Sequence, residues 1–214
     1  MIVFELVACY LVGWFAWTFG EYAMHRFAMH ALKGRGLASR EHLTHHADRD
    51  SILEKWAVSW SGIVTVGVAG FGWGGSHLVP LPSAVAVAAG WIGGYGFYDW
   101  MHYRAHRHLP STATGFGRYE RWLRLHHFHH HFGHPLRNHG VTWALWDIVF
   151  RTNDPIVEHV RVPRRMAMVW LLDDNGQVRA EYADDYEVAG RRDRTDGQAD
   201  EDRRNAFANL APAI

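Results

Sequence analysis

Leu125 to His131 reads Leu-His-His-Phe-His-His-His, so five of seven consecutive residues are imidazoles. A helix turns such a run into a site: His127, His130 and His131 fall at i, i+3 and i+4, on one face and within reach of a common point. The pattern recurs upstream, where His42, His45 and His46 repeat the spacing, His102 and His106 form an i, i+4 pair, and His25 and His30 stand five apart. Five residues put about 140° between two rings on a regular helix, so that last pair needs a helix end or a local bulge to converge. Inside the long run, His126, His129 and His130 fit the same spacing in a shifted register, and spacing alone does not choose. Four separate clusters differ from a tag or a low-complexity tract, which would be one contiguous run, and they predict metal binding.

Isolated histidines take the ordinary reading of a satisfied polar side chain, which covers His77, His134, His139 and His159; His108, His126 and His129 stay open. The 22 basic residues balance the 22 acidic ones, which gives no argument for nucleic acid. Cys9, the single cysteine, excludes an intrachain disulfide, and without a cysteine cluster the thiolate zinc and iron–sulfur sites are excluded too.

Hydrophobicity is segregated along the chain. Ile2 to Phe19 is apolar apart from Glu5, with neither a basic start nor a small-residue cleavage site, which argues against a cleaved signal peptide. As a helix these residues span roughly 27 Å, close to the thickness of a bilayer's hydrocarbon core. Ala57 to Tyr98 contains no Asp, Glu, Lys or Arg and is broken by Pro80-Leu81-Pro82, which predicts two further spans, about Trp56 to Val79 and Ser83 to Tyr98. Gly67, Gly70, Gly72, Gly74, Gly75, Gly90, Gly93, Gly94 and Gly96 suit close helix contact in lipid. Lys33, Arg35, Arg40, Arg49 and Lys55 follow the first span, and Arg104, Arg107, Arg118, Arg121 and Arg124 follow the third. By the positive-inside rule both basic regions are cytoplasmic and the N-terminus is not, which collects every histidine cluster on the cytoplasmic face.

The predicted fold is therefore all-α, an integral membrane helical protein with about three transmembrane helices and a cytoplasmic histidine-rich helical cap. Residues 1–172 form the predicted catalytic domain. Residues 173–214 open with the turn signal Asp173-Asp-Asn-Gly176, become almost wholly polar, and are expected to be a mobile tail dispensable for chemistry. About ten well-spaced histidines exceed the coordination of one ion and imply two. Asp99, one turn before His102, and Asp147 are the foremost carboxylates expected to orient ligand rings, with Glu21 and Glu41 also flanking the clusters.

The chain resembles the fatty acid hydroxylase and sterol desaturase superfamily of membrane, histidine-rich di-iron oxygenases. The resemblance is carried by His25-Arg-Phe-Ala-Met-His30, His42-Leu-Thr-His45-His46, Tyr98-Asp-Trp-Met-His102-Tyr-Arg-Ala-His106 and His127-Phe-His-His130-His131, and by Asn138-His-Gly-Val-Thr-Trp-Ala-Leu-Trp-Asp147-Ile-Val-Phe150. Counted back from Gly140-Val141-Thr142, it selects His127, His130 and His131 and implies ten ligands: His25, His30, His42, His45, His46, His102, His106, His127, His130 and His131. Arg151, where the family usually has glycine, and His139, where an aromatic residue is common, depart from the pattern. The resemblance implies two iron ions, whose site zinc can occupy in purified protein, and hydroxylation of an unactivated C–H bond of a lipid with O2. The lipid is expected to be a fatty acyl chain, and the electrons to come from a separate ferredoxin or cytochrome with its reductase. The three-residue gap between His102 and His106 favours the fatty acyl branch over the carotenoid one. Carotenoid or sterol hydroxylases and desaturases are the alternatives within the superfamily. A non-enzymatic membrane metal-binding or transport protein is the alternative outside it, although Ala57 to Tyr98 offers such a pathway only His77.

Overall fold

The computed structural model describes residues 2–48, 51, 56–155 and 159–214; Arg49, Lys55 and the side chain of Trp56 lie outside the description. The fold is mostly helical. Helix α1 (Ile2–Ala23) runs without a break into a π-helical turn, Met24–His30. There follow α2 (Leu37–Ala47), α3 (Trp56–Thr65), α4 (Leu81–Arg107), α5 (Thr114–Phe132) and the short α6 (Leu145–Val149). Strands β1 (Val160–Pro163) and β2 (Tyr186–Ala189) then pair in parallel with Val160 opposite Tyr186, and α7 (Asp196–Phe207) completes the order.

The π-helical turn is the local bulge that the His25/His30 spacing requires. Bonding from i to i+5 brings residues five apart into line, and the two rings lie 5.1 Å apart. A second π-helical stretch, Val66–Gly74, interrupts the continuous α-helix expected from Trp56 to Val79, in a segment where glycine weakens α-helical preference. Helix α4 starts at Leu81 because Pro82 in its first turn needs no amide partner, and it continues past Tyr98 to carry His102 and His106.

Among the described residues one helical run, Ile2–His30, is long and apolar enough to cross a membrane. Its outer face exposes Phe4, Val7, Leu11 and Phe15. Glu5, the lone charge in this stretch, accepts a 2.8 Å hydrogen bond from Ser83 of α4. The inner face lies directly on α4: a Cβ at Gly13 would sit 2.0 Å from the Val87 carbonyl oxygen, and one at Gly90 would sit 1.9 Å from that of Tyr10. Gly67 and Gly94 also meet tight contacts, whereas Gly70, expected to do the same, faces open space, and Gly13 was absent from the expected set. Below this crossing Trp17 packs edge-on against Trp91 and Tyr95, with ring centres 5.1 and 5.0 Å away.

A buried ion cluster joins α4 to α5. Arg124 donates to the carbonyls of Arg104, Ala105 and His108 at the end of α4, where carbonyls run out of helical partners although that of Arg104 still accepts the His108 amide, and to Glu120 at 2.8 Å. Glu120 also accepts from Ser111 N and Arg104 Nε. Burial opposes its charge, but the bonds from Arg124, Ser111 and Arg104 prevail and hold its carboxyl below the usual range.

Residues 173–214, expected as a mobile tail, carry β2 and α7 and pack on the helices. Their charges find partners: Asp202 is buried against Arg165 at 2.6 Å, and Arg194 donates to the Ala47 carbonyl at the end of α2. Trp170 and Tyr186 close a core with Leu123 and Phe128 of α5. Charge density concealed this segment, because every paired side chain is polar in the sequence.

Replacing Gly90 with Ala drives a methyl group into backbone and is expected to abolish the α1–α4 crossing. Little monodisperse protein should survive detergent extraction, while Gly70→Ala, into open space, behaves as the parent. Equal recovery and melting temperature of the two variants would refute the close approach.

Candidate metal centre

The ten histidines singled out above converge into two groups, buried except for the half-buried His102, each with its ligand-type nitrogens within 4.8 Å of one another. The first is His25, His30, His42, His46 and His130; the second is His45, His102, His106, His127 and His131. Each triplet was expected to aim at a common point, and the structure corrects this. Residues i and i+4 differ by about 40° around a helix, whereas i+3 lies about 60° to the other side. Thus His42 and His46 of α2 face the first group and His45 the second, while on α5 His127 and His131 face the second and His130 the first. Helices α2 and α5 each serve both groups. Across the division His46 and His131 stack, with ring centres 4.0 Å apart and planes 9° from parallel.

Protonation decides what these groups can do. Burial foremost, then nearby imidazoles, holds His42, His46, His127, His130 and His131 well below the ordinary imidazole range; burial, His102 and Arg107 do the same to His45. These six rings are therefore neutral, with one proton and one lone pair each.

Carbonyl oxygens fix the proton's position on three rings of the first group. His25 Nδ1 donates to the His139 carbonyl at 2.5 Å, His30 Nδ1 to Asn209 Oδ1 at 2.8 Å, and His130 Nδ1 to the Arg137 carbonyl at 2.7 Å. Each Nε2 then bears a lone pair. The Nε2 atoms of His30 and His130 are 3.1 Å apart, and His42 Nε2 lies 3.0 Å from that of His25 and 2.9 Å from that of His30. On His30 and His130, where both protons are fixed outward, lone pairs facing at that distance repel. Nitrogens bound about 2.1 Å from a shared ion, at right angles, stand about 3.0 Å apart, so a cation relieves the conflict. In the second group His106 Nε2 meets His127 Nε2 at 2.9 Å, while both nitrogens of His45, Nδ1 of His127 and Nε2 of His131 have no hydrogen-bond partner among the described residues. The donor set fits a metal ion in each group.

Other histidines have partners of a different kind. His129 and His134 both donate to Asp154, and His126 stacks on Trp122 with Nε2 3.8 Å from Asp147. His159 pairs with Glu187, and His77 lies against Trp73. His139 is buried beside the first group, with its ring centre 5.5 Å from that of His25.

Of the expected orienting carboxylates, Asp147 acts one step removed. It accepts from the backbone amides of His139 and Gly140 and from Thr152 Oγ1, holding the loop whose carbonyl orients His25. Burial opposes its charge, but the nearby His126 and His139 rings and the bonds from Gly140 and Thr152 outweigh that and hold the carboxyl far below the usual range. Glu21 accepts from both Thr142 N and Thr142 Oγ1, anchoring the other end of the Gly-Val-Thr turn. Asp99 accepts from Trp60 Nε1 at 3.2 Å. The orienting acceptors at His25, His30 and His130 are carbonyls; two belong to the backbone and carry no sequence signal, and the third, Asn209, lies in the segment expected to be dispensable. Arg151 adopts φ 57°, the left-handed conformation that favours glycine, which accounts for the family's preference there.

Beside the two groups lies a cavity of about 500 Å³. Trp17, Met24, Ile63, Val66 and Tyr95 give it apolar walls, and His42, His45 and His102 reach it. Trp91 and Phe97 lie outside the lining and pack against Trp17 and Trp14 respectively.

Buried imidazoles gathered by four helical segments beside an apolar cavity define a helical histidine-cluster protein that could hold metal. The model of the fatty acid hydroxylase family matches residues 10–152, and the chain belongs to that family. Dihydroceramide fatty acyl 2-hydroxylase FAH1 of Arabidopsis thaliana is 30% identical over 150 residues, which cover 69% of this chain and 61% of that protein. Fatty acid 2-hydroxylase of Homo sapiens is 29% identical over 157 residues, 71% of this chain and 41% of that protein. A solved structure of full-length scs7p, with only its hydroxylase domain visible, matches with a TM-score of 0.53 and 26% identity over 72% of this chain and 57% of that one. This chain thus spans less than two thirds of the length of these relatives.

Asp147→Asn places an amide hydrogen among three donors and removes the charge they solvate. The expected loss is about 2–3 kcal/mol, read as a drop in melting temperature of several degrees. A variant as stable as the parent would show that the loop does not depend on this carboxylate.

Proposed function

We propose that the protein is a membrane di-iron hydroxylase that inserts one oxygen atom of O2 into an unactivated C–H bond of a fatty acyl chain, next to the acyl carbonyl. The observation that carries this reading is the meeting of two groups of neutral, buried imidazoles with an apolar cavity. The position attacked is supported by relatives named as fatty acyl 2-hydroxylases. His25, His30, His42, His46 and His130 would hold one iron, and His45, His102, His106, His127 and His131 the other. Zinc can take such imidazole sites in purified protein but has no redox chemistry, so iron is the working ion.

Bound iron supplies the activation of O2 and the removal of hydrogen from carbon. Overall, one oxygen atom enters the C–H bond, and two electrons and two protons carry the other away as water. The electrons come from a separate ferredoxin or cytochrome with its reductase. The chain's own part is placement. Trp17, Met24, Ile63 and Val66 hold an aliphatic chain by apolar contact and keep water from it, while His42, His45 and His102 mark the end where the reacting carbon must lie. Asp147 keeps the His139 carbonyl on His25, and Asp99, held by Trp60 and facing the same cavity, is the carboxylate nearest His102 in sequence.

The proposed membrane arrangement has three spans, formed by the Ile2–His30 run, the helical stretch from Trp56 to His77, and the first half of α4. The N-terminus is non-cytoplasmic and both histidine groups face the cytoplasm. Outward apolar side chains on α1 and the basic residues at the far end of α4 support it. Residues 1–172 carry the ligands and cavity walls and form the catalytic domain.

Cells expressing the intact protein under ¹⁸O₂ are expected to accumulate one labelled 2-hydroxy acyl lipid. With His130→Ala, which removes the ring between His30 and His46, bound iron and product should both fall below a tenth. Normal iron and product in that variant would remove the site assignment, and no labelled lipid from the intact protein would sink the hydroxylase reading.

A further inference from the structure

We propose that Asn209 is a positioning residue for the first histidine group, fixing the tautomer and ring orientation of His30 so that its Nε2 lone pair faces the ion; this rests on the metal reading above. The family match ends at residue 152, so the contact comes from outside the segment that identifies the family.

The geometry is two-sided. Asn209 Oδ1 accepts from His30 Nδ1 at 2.8 Å, and Asn209 Nδ2 donates to the His30 carbonyl at 3.2 Å. The second bond settles which end of the amide faces the ring, since only the nitrogen end of the asparagine amide can donate to a carbonyl. Asn209 is 6% exposed and has φ 60°, a conformation that asparagine and glycine tolerate best. It caps the end of α7 through its amide to the Ala206 carbonyl.

The helix delivering it is held at both ends. Thr195 and Gln198 form a capping box at its start, Asp202 pairs with Arg165 in its middle, and Phe207 covers Gly34, where a Cβ would lie 2.5 Å from its ring. An acceptor on the distal nitrogen of a ligand imidazole raises its basicity and stops the ring from turning, and losing such a partner costs about 10–100-fold in metal affinity. At His25 and His130 backbone carbonyls do this work. At His30, whose ring hangs from a π-helical turn, a side chain from a remote helix does it.

The test uses full-length protein in nanodiscs, stripped by chelator and titrated anaerobically with Fe²⁺ and, in parallel, with Co²⁺ as a visible probe. The parent is expected to take up two ions. Asn209→Gly keeps the backbone conformation and removes both hydrogen bonds, so one ion should bind about 10–100-fold more weakly and the other as before. Asn209→Asp keeps an acceptor for Nδ1 and should restore two-ion binding while shifting the ligand-field absorption of one Co²⁺. Parent-like binding of both ions by Asn209→Gly, equal weakening of both, or an unaltered Co²⁺ spectrum in Asn209→Asp overturns the inference. The last arm holds even if Asn209→Gly fails to fold. A parent that binds no ion overturns the metal reading itself, and this inference with it.

Discussion

Lone pairs that have nowhere to turn govern this structure. In the first group each of three rings has its proton pinned outward by a carbonyl, so the inward nitrogens of His30 and His130 face one another at 3.1 Å with no hydrogen between them. Burial forbids the easy remedy of protonation. Left alone, the groups would spread, and the surrounding architecture resists that. The Arg124–Glu120 cluster ties the end of α4 to α5, and the Glu21 and Asp147 carboxylates clamp the turn behind the rings. Rigidity around the histidines is thus stability spent on holding mutually repelling groups ready for a cation.

Two helical details make the convergence geometrically possible. The π-helical turn brings His25 and His30 to one side despite their awkward spacing. The angular offset between i+3 and i+4 lets α2 and α5 each feed both groups, so two short motifs supply six of the ten rings. An extra residue of winding in one place and an ordinary helical angle in the other are sufficient; no unusual side-chain chemistry is required.

Much of this was legible in the chain. The ten histidines were separable from their seven neighbours by spacing together with family resemblance, and the need for a bulge between His25 and His30 followed from arithmetic. What escaped had physical reasons. Spacing reports that rings share a helix face but not whether they share a target, so the division of each triplet was hidden. Gly13 sat in a run read for hydrophobicity, where nothing marks the residue that another backbone will touch. The C-terminal segment read as solvated because residues such as Arg194 and Asp202 are charged, and pairing is a property of three-dimensional proximity. Asn209 was lost with it.

The partners of His30 are scattered widely along the chain: His130 lies a hundred residues away and Asn209 lies 179 residues away. Translation therefore releases the membrane-proximal ring long before the groups that aim it exist. The first histidine group is therefore incomplete in a nascent chain until residue 209 has emerged, and its final geometry is set after synthesis, when the segment that follows α7 reaches His30.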